Sequence, residues 1–72
     1  MNIREYIRLC CVKKDNMSES ELARRMGQTP QNLHNKYTRD VFKVSELEKV
    51  ADALDADLQI QFIDRKTKEP II

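Results

Sequence analysis

The chain has 72 residues, 40% of them hydrophobic, and its 13 Lys and Arg nearly cancel 12 Asp and Glu to leave a formal net charge of +1. That length holds one domain around one small core worth only about 3–5 kcal/mol, which predicts reliance on a staple, a metal or a partner chain. Cys10 and Cys11 cannot be the staple, because neighbours in a predicted helix diverge by about 100° and miss disulfide geometry.

Metal is no better supported, since the only histidine, His34, stands far from both thiols. One buried and one partly exposed free thiol is the expectation, which fits a reducing, cytoplasmic setting. The opening stretch MNIREYIRLCCV interleaves charges and has no long apolar run, so neither a signal peptide nor a membrane span is expected.

In chain order, Asn2 with Glu5 forms the first capping box, and Ile3, Tyr6, Ile7 and Cys10 follow the spacing of a core-facing helix running to about Lys14. Asp15 and Asn16 break it. Ser18 with Glu21 is a second capping box, followed by the apolar stripe Leu22, Ala23 and Met26, with Arg24 and Arg25 outside the stripe. Gly27, the only glycine, arrives where this helix must stop, because glycine adopts the left-handed conformation without a Cβ penalty. Thr29 and Pro30 then read as N-cap and first-turn proline of another helix over 30–37. Two capped helices around one glycine make a helix-turn-helix over 18–37.

At about 100° per residue, Pro30, Leu33 and Tyr37 share the inner face of the second helix. Gln31, Asn35 and Thr38 point outward, flanked by Asn32, His34 and Arg39. Amides at such positions can bond adenine in the major groove, and cations can take guanine or phosphate. Thr38, Arg39 and Asp40 read as a connection. Ser45 with Glu48 forms a further capping box, and Leu47, Val50, Ala51 and Leu54 line a closing helix.

From Leu58 the period changes to two: Leu58, Ile60 and Phe62 alternate with Gln59, Gln61 and Ile63, which predicts a half-buried strand. Residues 64–68 make a polar turn candidate, and 69–72 a short returning strand with Pro70 at an edge. A lone hairpin is marginal in water and its open edge invites pairing. The economical cover is the same strand of a second copy, through Leu58, Ile60 and Phe62; the alternative is a hairpin folded onto its own helices in a monomer.

Net charge falls short of a basic DNA-binding footprint, but its distribution does not. Residues 1–43 hold nine bases against five acids, net +4, whereas residues 44–72 hold four bases against seven acids, net −3. The cations travel with the motif, in a dipolar arrangement suited to a polyanion.

ELARRMGQTPQNLHNKY followed by VSELEKVADAL resembles the Cro/repressor-type, or XRE-like, helix-turn-helix family from about Met17 to Leu54. The resemblance implies a mainly α, four-helix, lambda-repressor-like domain over residues 1–57, with a C-terminal β-strand or hairpin over 58–72 for dimerisation. It implies that the helix over 30–37 reads DNA, with dimers addressing half-sites about 34 Å apart. By position, Gln31, Asn32 and Asn35 face bases. Ser18, Thr29, Lys36, Arg39 and Lys43 approach the backbone, and Gln28, His34 and Thr38 stand as additional contacts. Three positions depart from the pattern. Glu19 stands where many members carry a phosphate-binding glutamine, Pro30 where many carry a polar reader, and Lys36 where an apolar residue is common.

The function expected is therefore a sequence-specific transcriptional regulator, a small dimeric repressor with double-stranded DNA and a second copy as partners. The alternative is an antitoxin-like or adaptor module that binds a protein along the C-terminal strand edge. No cofactor, small-molecule ligand or membrane association is read from the residues. Enzymatic function finds no support, because His34 has no cysteine, serine or carboxylate partner at helical spacing in its own helix.

Overall fold

The computed structural model describes residues 2–39 and 42–72, and among them it has four helices. The first, α1 (Ile3–Lys13), starts where Asn2 accepts the Glu5 N–H at 2.8 Å. Its buried line is Ile7 and Cys11, one i,i+4 step apart, with Cys10 half-buried. The predicted face Ile3, Tyr6, Ile7 and Cys10 is thus rotated. Ile3 and Tyr6 are 38% and 62% exposed, because they line a groove that α1, the fourth helix and the C-terminal segment leave open.

Asp15 and Asn16 take left-handed backbone (φ 61° and 52°), a conformation these short polar residues tolerate better than most. The chain reverses there, with the Met17 N–H donating to the Cys11 carbonyl at 2.9 Å. Helix α2 (Glu19–Arg25) follows, capped by Ser18 Oγ accepting the Glu21 N–H at 3.1 Å. Only this half of the box forms; the Glu21 carboxylate turns to Arg24 and Arg25.

Gly27 (φ 74°) closes α2 in a Schellman motif. Its N–H reaches Arg24 C=O at 3.1 Å, and the Gln28 N–H reaches Ala23 C=O at 2.9 Å. Two residues later Thr29 Oγ1 accepts the Asn32 N–H at 3.1 Å and opens α3 (Pro30–Arg39). Helix α3 extends past the predicted end, so Thr38 and Arg39 are helical rather than part of a connection; Asp40 lies outside the described residues. Leu33 and Tyr37 are buried as expected, whereas Pro30 is exposed, since its role is to start the helix and it sits above the core.

Helix α4 (Val44–Ala53) begins two residues earlier than the Ser45–Glu48 box required. Lys43 holds the extended N-cap backbone (φ −74°, ψ 159°) and makes no side-chain cap bond. Ser45 is already inside the helix, where a hydroxyl cannot cap. Asp55 (φ 53°) closes α4 as Gly27 closes α2, with Asp55 N–H on Asp52 C=O at 3.1 Å and Ala56 N–H on Ala51 C=O at 2.9 Å.

One core joins the helices: Ile7 and Cys11 from α1, Leu22, Ala23 and Met26 from α2 and its cap, Leu33 and Tyr37 from α3, and Val50, Ala53 and Leu54 from α4 and its cap. Ala23 has no exposed surface, and its small side chain is what lets α3 cross α2 closely.

The predicted C-terminal strand is not found among the described residues. Residues 64–68 do turn, with Asp64 accepting the N–H groups of Lys66 (2.8 Å) and Thr67 (3.1 Å). Beyond the turn the pairing is a single antiparallel bridge, Ile63 to Pro70, flanked by Ile71 N–H to Phe62 C=O at 3.0 Å and Asp64 N–H to Glu69 C=O at 2.8 Å. Pro70 fits because its missing N–H falls between those two bonds. Residues 58–61 have the strand's alternation, but a ladder needs a neighbour, and the returning segment pairs no further back than Phe62.

Candidate nucleic-acid interface

The turn at Gly27 sets α3 across α2 with one face in the core and the opposite face in solvent. Gln31, Asn32, His34, Asn35, Thr38 and Arg39 are all exposed on it. Gln31 Nε2 donates to Asn35 Oδ1 at 3.1 Å, one helical turn along. That bond orients both amides and leaves the Gln31 carbonyl oxygen and the Asn35 amino group for a base edge, an acceptor and a donor side by side. Thr38 Oγ1 donates to the His34 carbonyl at 3.0 Å, so its hydroxyl offers only acceptor capacity outward.

The two N-cap hydroxyls are spent in the complementary sense. Ser18 Oγ and Thr29 Oγ1 accept backbone N–H groups, which leaves each O–H free to donate to a phosphate oxygen.

Gln28, Asn32, Asn35, Lys36, Arg39 and Glu46 line one shallow groove between the turn, α3 and the start of α4. Within it Lys36 Nζ lies 3.4 Å from Glu46 Oε2, both side chains mostly covered. Lys36 is therefore turned toward α4 and shares its charge with an acid, while Arg39 and Lys43 stand exposed. Glu46 had no signal in the sequence beyond its charge; only the packing of α4 against α3 brings it to this floor.

Arginines on α2 are held differently. The Glu21 carboxylate bonds Arg24 Nε at 2.8 Å and Arg25 Nε at 2.9 Å, and these guanidinium partners hold its pKa down at about 2. Arg25 also donates to Ala53 C=O at 3.3 Å, tying α2 to the end of α4.

At the inner edge of α3, Tyr37 packs its ring against Phe42 with centroids 5.7 Å apart. Its hydroxyl is buried without a partner, and burial, aided by the negative charge of Glu19, pushes its pKa up to about 12. Arg4 of α1 reaches the same ring, a contact that helical spacing could not announce.

Among the described residues no helix is long and apolar enough to cross a membrane. Neither curated proteins nor solved structures contain a match to the chain. The model of one family does match, that of the Cro/C1-type helix-turn-helix DNA-binding domain, over residues 11–59. That span covers α2, the Gly27 turn, α3 and α4, more than half of the chain, and the chain belongs to the Cro/C1-type helix-turn-helix DNA-binding family.

Proposed function

We propose that this domain is a sequence-specific transcriptional regulator, a small dimeric repressor that lays α3 in the major groove of DNA. The observation that carries the reading is the outward face of α3, where Gln31, Asn32 and Asn35 stand exposed on a helix fixed at its start by Thr29 and Pro30. In this reading phosphate contacts from Ser18, Thr29, Arg39 and Lys43 set the register, and Lys36 contributes only what Glu46 leaves it. Gln28, His34 and Thr38 flank the reading face. Occupancy of a promoter then excludes polymerase, and control lies in protein level or assembly.

Selection from randomised duplexes followed by mobility shift at several salt concentrations tests this. Affinity falls as salt rises. Gln31→Ala relaxes preference at one base position at a cost of about 1–3 kcal/mol, whereas Arg39→Ala weakens all sequences alike. Equal binding by both variants and the parent protein would remove the assignment.

One observation favours a second reading. Leu58, Ile60 and Phe62 are 37%, 58% and 80% exposed on a segment that forms no ladder before Phe62, a surface suited to a partner protein in an antitoxin-like or adaptor role. A stable homodimer of the isolated protein, covering these residues, argues for the dimeric regulator instead.

A further inference from the structure

Arg4 joins three helices at one point. From α1 its Nη2 lies 3.9 Å from Oε1 of Glu19, the first residue of α2. Its guanidinium carbon stands 5.3 Å from the centroid of the Tyr37 ring, near the end of α3. Neither contact exhausts the group. The separation from Glu19 exceeds hydrogen-bond length, and Nε is buried with no acceptor. A guanidinium committed to a structural ion pair looks different, as Arg24 shows by gripping Glu21 through both Nε and Nη2. The Arg4 side chain also keeps 38% of its surface in solvent. An aromatic face that fixes the plane, a loosely placed acid and terminal Nη groups without a hydrogen-bond partner among the described residues, on a side chain that keeps solvent access, describe an arginine prepared for an oxyanion.

Glu19 gains a meaning from this arrangement. It stands at the start of the helix that crosses the DNA backbone in a helix-turn-helix, where a bare carboxylate would oppose phosphate.

We propose that Arg4 is a phosphate-binding residue of the DNA interface, held in place by the Tyr37 ring, and that Glu19 aims its guanidinium. The inference rests on the DNA-binding reading above and adds α1 to the contact surface. On binding, a phosphate oxygen takes the hydrogen-bonding position that Glu19 holds only at a distance.

The test is titration of a fluorescent duplex of random sequence, followed by anisotropy at several salt concentrations, since a phosphate contact is indifferent to sequence. Arg4→Gln is expected to weaken binding about tenfold at low salt and to reduce the slope of log affinity against log salt by about one unit. Arg4→Lys keeps the charge and restores the slope. Glu19→Ala strengthens binding while Arg4 is present, because the phosphate no longer competes with the carboxylate for the guanidinium. An Arg4→Gln slope equal to that of the parent protein overturns the proposal; should that variant unfold, unchanged affinity in Glu19→Ala overturns it. Absence of salt-dependent binding by the parent protein removes the DNA-binding reading itself, whereas binding with an unaltered slope removes only the part assigned to Arg4.

Discussion

Tyr37 carries an unusual load for a single side chain. Its ring belongs to the core and receives both Phe42 and Arg4, while its hydroxyl is buried with no hydrogen-bond partner. A buried polar group left unpaired costs stability, so Tyr37→Phe is expected to stabilise the domain by about 1 kcal/mol in denaturant unfolding. The same substitution changes the alkaline limb. Because the folded pKa of about 12 lies above the ordinary 10.0, the contribution of the neutral hydroxyl is intact below pH 10 and is lost as pH rises toward 12. Tyr37→Phe is expected to flatten stability across that window, which urea midpoints at successive pH values measure. Tyr37 was legible as a core residue from its helical phase with Leu33. Its meeting with Arg4 was not, because the two stand on different helices and only tertiary packing relates them.

Helix ends were the most readable elements, and the reason is distance along the chain. Ser18, Gly27 and Thr29 act through bonds to residues at most five positions away, so their types and spacing suffice. Ser45 misled for the same reason turned around: the box spacing was present, but Lys43 takes the extended cap backbone and the helix starts before the serine. Lys43→Ser therefore makes a prediction with two opposed signs. A hydroxyl at the true N-cap adds about 1 kcal/mol, roughly 4–8 °C in Tm for a domain of this size. The lost cation weakens DNA binding, so calorimetry and mobility shift are expected to move in opposite directions. The inner face of α1 is turned by about one position from the one its spacing suggests, since periodicity reports that a helix is amphipathic but not which neighbours cover it. Ile7 and Cys11 meet the other helices, and Tyr6 meets an open groove.

For the whole molecule, the main departure lies after Leu58. Alternation is a property of a segment, whereas a strand is a property of a pair, and the one bridge from Ile63 to Pro70, with its flanking bond to Phe62, leaves 58–61 without a ladder. Leu58 and Ile60 line the same groove as Ile3 and Tyr6, and Phe62 follows them 80% exposed, an apolar surface suited to contact. In the dimeric regulator proposed above a second copy covers it. Phe62→Asp is then expected to shift sedimentation from dimer to monomer and to weaken operator binding far more than binding of a single half-site. In the parent dimer the two Asn35 positions are expected to lie about 34 Å apart.

The repeated closure at Gly27 and Asp55 bears on how quickly this architecture arises. Each helix end is sealed by carbonyls only three and five residues back, and the reversal at Asp15 and Asn16 is equally local. Chains whose contacts are mostly short in sequence search little conformational space, which places folding here among the fast helical domains that form in microseconds to milliseconds. In the dimeric regulator proposed above, α3 is therefore in position well before a newly made copy meets either DNA or a second copy, and assembly, a concentration-dependent encounter, is the slower event.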